Sequence, residues 1–314
     1  MAEAAATARR HGIVKVNPDV LTGLSVHRKT PKGSIAPGFK ARKKLNMKFK
    51  GGKTIPHLSF KSFYLGAAHW AASDIQNIDT ALAGAMSDPH LNNVMQQYYP
   101  GAPAISTTFL GSTKLTAPVT APFTRDSVNP LLASLIGDGS LNGVNFDTTV
   151  ICLMLPPGVA LTTDAAGGVG KAKGDGDNLD SSLEGLGGYH GSCHIGATRV
   201  YFSVAVYSQF VNGKPNGIPV WPDSWKNIVA TFYHELNEAR TDPDVEDAIR
   251  GNNDALLGWY SDATGGGEIG DIPMNEAGAN LRSVMVEVTL GNGVVAPIQL
   301  MWSNAVGGPG GPFG

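Results

Sequence analysis

The sequence predicts an α+β protein whose body is one domain, or two lobes with a cleft between them, preceded by an extended basic arm. Two observations predict the body. Apolar strand-like runs recur along the chain, and between them lie segments whose apolar residues repeat at helical spacing. A third observation predicts the arm, because the first 55 residues combine positive charge with frequent glycine and proline. With 314 residues and 42% hydrophobic content, the chain can bury a core.

The predicted arm spans residues 1–55 and differs in charge from the rest of the chain. Residues 1–53 carry 13 Lys and Arg against 2 acidic residues, a formal charge of +11, whereas the remainder carries −13. We therefore expect the arm to dock on the acidic body of the same or an adjacent subunit, so that a homo-oligomer forms through it. A disordered solubilising tail and a polyanion-binding segment are the open alternatives. Nucleic acid is not the expected partner, because only Phe39 and Phe49 could stack on bases.

The first half of the body, which starts at residue 56, predicts alternating strands and helices. Ser73 is the expected cap of a helix, because apolar residues follow it at steps of three and four from Ile75 to Met86. Asp88 and Pro89 are expected to open a second, short helix. The other expected elements are a strand at 59–66, irregular or strand-like structure at 100–125, a helix at 127–136 and a buried strand at 148–155.

The second half continues the alternation to the end of the body at residue 306. We expect a loop rich in Gly, Asp and Lys, three further strands, one long helix and a Gly/Pro tail. The loop spans 164–188, and the strands span 199–207, 284–290 and 297–302. The helix spans 225–240, and the tail spans 307–314.

Several classes of protein are excluded by composition. No stretch approaches the roughly 18 apolar residues of a membrane span, so no membrane span is expected. The N-terminus lacks the apolar core of a signal peptide, which predicts a cytoplasmic protein, or an extracellular one if a leader was removed or export is unconventional. Cys152 and Cys193 are too few for a disulfide framework, and Cys152 lies in an apolar run where a buried, inert thiol is expected.

The long helix at 225–240 is the most informative segment, and its apolar spacing predicts one buried face. His234 and Glu238 lie four residues apart on a shared face, the spacing at which one helix offers two ligands to a metal. Glu235 follows His234, as the general base does in the H-E-x-x-H signature of zinc peptidases. Here Glu238 replaces the second histidine, and a carboxylate oxygen is an acceptable zinc ligand. A solvated helix face without metal is the open alternative.

A longer pattern surrounds this helix. Residues 234–243 read His-Glu-Leu-Asn-Glu-Ala-Arg-Thr-Asp-Pro, and Gly-Trp-Tyr at 258–260 and Gly-Glu-Ile-Gly-Asp at 267–271 follow. The set resembles bacterial and fungal H-E-x-x-E proteins that look related to the plant phosphate-induced (EXORDIUM-like) family. The resemblance covers motifs at about 200–303, and only the order of elements at 59–200. It implies a zincin-like fold, with a mixed sheet packed on the motif helix. The plant members lack H-E-x-x-E, so they imply no metal chemistry.

A metal on this helix needs a further ligand from later sequence. Glu268 is the first candidate, because three preceding glycines allow the chain to approach closely. Asp271 is the second, either as a ligand or as an acceptor for His234. Both residues could instead cap local turns. His190 and His194, four apart in a Gly-rich segment, form a weaker candidate pair for ligands or substrate contacts.

The sequence thus predicts a zinc-dependent, peptidase-like hydrolase that acts on peptides or proteins. Zn²⁺ held by His234, Glu238 and Glu268 would lower the pKa of a coordinated water. Glu235 would accept the proton and pass it to the leaving amine, and Tyr260 is a candidate for steadying the oxyanion. The rival interpretation is a structural or self-assembling interaction protein on a zincin-like scaffold, catalytically silent.

Overall fold

The computed structural model describes residues 35–100, 104–162 and 181–311, together with the backbone of residues 13–15. Expectations for the rest of the arm before residue 35, for most of the Gly-rich loop and for the last three residues of the tail lie outside the described residues. The helices and strands, in chain order, are β1 (Ile13–Lys15), β2 (Lys48–Phe49), β3 (His57–Leu65), α1 (Ala72–Ser87), α2 (Pro89–Gln96), β4 (Ser106–Leu115), β5 (Phe123–Thr124), α3 (Val128–Gly137), β6 (Thr149–Met154), β7 (Leu161–Thr162), β8 (Leu186–Ile195), β9 (Thr198–Ala205), β10 (Gln209–Val211), β11 (Lys214–Asn216), α4 (Ser224–Thr241), α5 (Val245–Gly251), β12 (Trp259–Tyr260), α6 (Asp271–Ala277), β13 (Met285–Thr289), β14 (Val295–Gln299), β15 (Trp302–Ser303) and β16 (Gly308–Pro309).

A mixed sheet forms the centre of the described body, with strands in the order β1-β8-β9-β6-β3-β4. β3, β4, β6 and β9 run parallel, β8 runs antiparallel to β9, and β1 runs antiparallel to β8. Parallel neighbours need crossover connections, and α1 with α2, and then α3, lie in those between β3, β4 and β6. The prediction of an α+β fold with a mixed sheet is confirmed.

The centre of the sheet is buried on both faces, which explains why β6 reads as an unbroken apolar run. Val150, Cys152 and Met154 belong to one hydrophobic core, and Ile151 and Leu153 belong to the other. Helices α1 and α4 contribute to the first core and α3 contributes to the second. The thiol of Cys152 is fully buried, as predicted.

Helix α4 is buried on all sides, so the prediction of a single buried face was wrong. Residues 227–241 are all buried, because α4 contacts β8 and β9 as well as α1 and β14. A helix enclosed in this way carries its polar side chains into the interior, where each needs a partner. The apolar spacing located the helix but could not show that its polar face is also covered.

One expected helix start differs from that observed. Asp88 caps α2 by accepting hydrogen bonds from the next turn, as predicted, but α1 begins at Ala72, and Ser73 lies inside its first turn. Helix α4 ends at Thr241 and α5 begins at Val245. Asp242 lies between them, where its Oδ1 accepts the N–H of Gly258 and its backbone is non-helical.

The described part of the arm, residues 35–55, packs on the body of the same chain. Leu45, Met47 and Ile55 are buried, and β2 pairs with β12. Arg42 forms an ion pair with Glu276 of α6. Strand β1 contacts both β8 and α6. The arm therefore docks on its own body over these residues, and oligomerisation through it stays a prediction.

The start of the predicted tail also packs on the body, because β16 pairs with β15 and both strands are buried. Among the described helices, none combines the length and apolar character needed to cross a membrane.

Candidate metal centre

Helix α4 carries three chemically active side chains into the interior of the molecule. His234, Glu235 and Glu238 are all fully buried. As their spacing predicts, His234 and Glu238 meet on one face, with His234 Nε2 3.0 Å from Glu238 Oε2. The buried position explains why these polar groups must find partners within the protein or in a bound ion.

Gln299, at the end of β14, sets the protonation of the His234 ring. Gln299 Nε2 donates to the carbonyl of Gly270 at 2.7 Å, so its Oε1 faces the ring, 2.8 Å from His234 Nδ1. Because an amide oxygen only accepts, Nδ1 carries the proton and Nε2 of the neutral ring presents a lone pair. Gln299 was not among the site residues expected from the sequence. The one pattern that could have pointed to it is a polar residue inside an apolar strand.

Glu238 uses its two oxygens differently. Oε1 accepts the backbone N–H groups of Gly270 and Asp271, each at 3.1 Å. Oε2 has no hydrogen-bond partner, and neither has His234 Nε2, although the two atoms are only 3.0 Å apart. The two atoms lie at ion-pair distance without a well-aligned hydrogen bond, so both can also serve a common third atom when the ring is neutral.

Asp271 completes a group of three possible ligands. Its Oδ1 lies 3.7 Å from His234 Nε2, and one ligand atom each from His234, Glu238 and Asp271 lie within 4.8 Å of one another. Ligands about 2.0–2.1 Å from a tetrahedral zinc stand about 3.3 Å apart, which these separations bracket. The geometry favours Asp271 over Glu268 as the third ligand, the reverse of the order expected from the sequence.

Gly270 lies against the ring of His234. A Cβ atom at this position would lie 2.4 Å from Nδ1 and 2.5 Å from Cε1, well inside van der Waals contact. The φ angle of Gly270 is −87°, so close approach rather than backbone strain requires glycine here.

Glu268 lies on the other side of the cluster, near His190. It is fully buried, neither of its oxygens has a hydrogen-bond partner, and its Oε1 lies 3.5 Å from His190 Nε2. The three glycines before it were expected to bring it close to the helix. The structure places it in the same buried cluster but outside the group of possible ligands that His234 belongs to.

His190, on β8, belongs to the buried cluster, although the sequence made it only a weak candidate for the site. Its Nδ1 lies 3.3 Å from Glu235 Oε2 and 3.5 Å from Glu238 Oε2. His194 is exposed near the end of the same strand, beside Arg199. Four residues along a strand span about 13 Å, so the spacing that unites two helical residues separates these histidines.

Tyr260 is buried in β12 and packs with Val245, Ala248 and Leu257 in a small apolar cluster. Its role as an oxyanion donor stays a prediction.

Burial and mutual repulsion perturb the acids of the cluster. Burial raises the pKa of Glu235 to about 7, against the opposing hydrogen bond from His190, and burial also raises that of Asp242 to about 7. The pKa values of Glu268 and Asp271 are raised well above the usual range by burial and by the charge of Glu238. The interior therefore concentrates acidic groups whose negative charge, when they ionise, must be offset by the neighbouring histidines or by a cation.

In His234 and Glu238, by contrast, the surroundings favour the charged form of the side chain. Burial acts to lower the pKa of His234, but the combined interactions with Glu238, Glu235 and Asp271 outweigh it and raise the value to about 10. Burial acts to raise the pKa of Glu238, but its interactions with His234 and His190 lower the value to about 2. Glu238 is thus the carboxylate of the cluster that is already ionised without a metal.

The donor set fits a divalent first-row metal ion, because it offers one imidazole nitrogen and two carboxylates, and both His234 Nε2 and Glu238 Oε2 lack a hydrogen-bond partner. The chain matches no protein-family model, no curated protein and no solved structure.

Proposed function

We propose that the protein is a metal-dependent hydrolase, peptidase-like, with a zincin-like use of helix α4. His234, Glu238 and Asp271 would hold the ion, with Zn²⁺ as the first candidate. The observation that carries the proposal is the pair formed by His234 Nε2 and Glu238 Oε2. Both atoms are fully buried and 3.0 Å apart, at ion-pair distance, and neither has a well-aligned hydrogen-bond partner.

When bound, the ion would act as a Lewis acid and lower the pKa of a water molecule at the site. Its two carboxylate ligands offset its formal charge, so this effect should be weaker than at a centre with three neutral histidines. Glu235 is the proposed general base. Its Oε1 is buried without a partner, and a pKa of about 7 suits a group that takes up and releases a proton near neutral pH.

The surrounding residues orient these groups. Gln299 fixes the His234 ring so that Nε2 faces the ligands, while the N–H groups of Gly270 and Asp271 hold Glu238 Oε1. His190 holds Glu235 Oε2 through a contact of 3.3 Å, which leaves Oε1 as the oxygen that can accept a proton. Outer contacts of this kind support metal affinity and activity in metalloenzymes.

One observation favours the second candidate, a structural protein with a catalytically silent metal. The candidate ligands and Glu235 have almost no exposed surface, and structural metal sites are closed whereas catalytic sites keep a position open. Strand β1 lies against β8 and α6, the elements that carry His190 and Asp271. A hydrolase therefore requires this side of the molecule to open when substrate binds.

Hydrolysis of a mixed peptide pool by zinc-loaded protein tests the proposal. Glu235→Gln should fold and keep the zinc held by His234, Glu238 and Asp271, but lose activity by about 10²–10⁴-fold, since it removes the general base. Glu184→Gln, at an exposed position, is the matched control and should remain active. A wild-type protein that binds zinc tightly, gains stability from it and cleaves no peptide would reject the hydrolase and support the structural candidate.

A further inference from the structure

A second group of possible ligands lies on the other side of Glu238. One ligand atom each from His190, Glu235 and Glu238 lie within 4.8 Å of one another, with His190 Nδ1 3.3 Å and 3.5 Å from the two carboxylate oxygens. All three residues are almost fully buried. These distances are close to the spacing of about 3.3 Å expected between ligands of a tetrahedral zinc.

The orientation of the His190 ring leaves the required lone pair. His190 Nε2 faces the backbone carbonyl of Asp242 at 3.3 Å and Glu268 Oε1 at 3.5 Å. Because a carbonyl only accepts, Nε2 carries a proton. Nδ1, which faces Glu235 and Glu238, is then the nitrogen at which a metal ion and a second proton compete.

The fully ionised cluster carries more charge than one ion can neutralise. Five carboxyl groups lie buried here, on Glu235, Glu238, Asp242, Glu268 and Asp271. If all five are ionised and both histidines are neutral, one divalent cation leaves a formal charge of −3 and two leave −1, whereas protons on the acids offset part of this charge in the metal-free protein. Uncompensated buried charge is costly, so a second ion offsets a cost that the first leaves in place.

Glu238 Oε2 connects the two groups of ligands. It belongs to both, at 3.0 Å from His234 Nε2 and 3.5 Å from His190 Nδ1, and it has no hydrogen-bond partner. We propose that the cluster binds two divalent cations that share Glu238, the second being held by His190 and Glu235. This inference rests on the metal centre of the proposed function. Glu235 binds through Oε2, and its unpartnered Oε1 stays available as the base. Carboxylate-bridged pairs of this type recur in hydrolases.

Zinc titration of chelator-treated protein, read by elemental analysis after removal of free metal, tests the proposal. Wild-type protein should retain two Zn²⁺ per chain, and His190→Gln should retain one. His69→Gln, at an exposed position outside the cluster, should retain two. One Zn²⁺ per chain in wild type, unchanged in His190→Gln, would overturn the second site and identify His190 as a protonated counter-ion to the carboxylates.

Mn²⁺ binding to the wild type keeps the proposal testable if His190→Gln fails to fold. Two Mn²⁺ ions that share an oxygen ligand should give a magnetically coupled spectrum by electron paramagnetic resonance at saturation. The signal of isolated ions throughout the titration would contradict the shared Glu238. A single ion with peptide hydrolysis intact would refute only the second site, whereas two ions without hydrolysis would refute only the proposed function.

Discussion

Replacing Gly270 by alanine tests whether His234 is a metal ligand, because the three atoms nearest to the added methyl group all belong to that ring. The new Cβ would lie 2.4 Å from Nδ1, whereas ordinary contacts lie at 3.4 Å or more. The ring must therefore move by about 1 Å, or the loop that carries Asp271 must move instead. Overpacking of this kind costs about 1–3 kcal/mol of folding stability.

The effect on metal binding should exceed the effect on folding. Metal–ligand distances tolerate changes of only about 0.2 Å, so a ring displaced by about 1 Å no longer serves as a ligand. We expect zinc affinity to fall by at least about 100-fold, which corresponds to about 2.8 kcal/mol. Competition with a chromophoric chelator measures this affinity, and thermal unfolding of the metal-free protein measures stability separately.

Gly137→Ala is the matched control for this experiment. Gly137 is the last residue of α3, has no heavy atom within 4 Å of an added Cβ, and needs no unusual backbone conformation. It should bind zinc like wild type. If Gly270→Ala binds zinc as tightly as Gly137→Ala does, His234 Nε2 is not a ligand and the centre has been misassigned.

Two further predictions concern the surroundings of the metal. Gln299→Met leaves His234 Nδ1 and the carbonyl of Gly270 without their partner and should weaken zinc binding about 10–100-fold, as measured by competition titration. The control Gln97→Met breaks hydrogen bonds away from the site and should bind zinc like wild type. Equal zinc affinities of the two variants would argue against the role of Gln299. The raised pKa values of Glu235 and Asp242 mean that the metal-free native state binds more protons than the unfolded chain between about pH 4 and pH 7. Its stability to urea should therefore fall as pH rises through this window, less steeply in Glu235→Gln, and a flat or rising profile would contradict these shifts.

The sequence was informative where local rules decide the structure. Helical spacing located α4 and the shared face of His234 and Glu238, and the burial of strand β6 followed from its apolar run. Asp88 was recognised as a cap because capping depends only on the next turn. Each of these inferences uses residues that are neighbours along the chain.

The rest of the site depends on contacts between distant segments, which no local pattern encodes. His190 was underrated because its partner in the pattern, His194, points to solvent from the far end of the strand. Glu268 was preferred to Asp271 because the glycines before it were visible, while the hydrogen bonds that fix Asp271 to Glu238 were not. Gln299 was missed because a lone amide in a strand has no signature of its own.

The double use of Glu238 has a consequence for the order in which the molecule assembles. The oxygen that anchors Gly270 and Asp271 belongs to the same carboxylate that offers a lone pair to the ion, so the later segment must reach α4 before the ligand set exists. Of the proposed ligands, only His234 and Glu238 are close together along the unfolded chain, and two ligands by themselves bind a metal ion weakly. The cation would therefore join a chain that has already folded. It would prolong the lifetime of the native state rather than start its formation, since interactions absent from the folding transition state act mainly on the rate of unfolding.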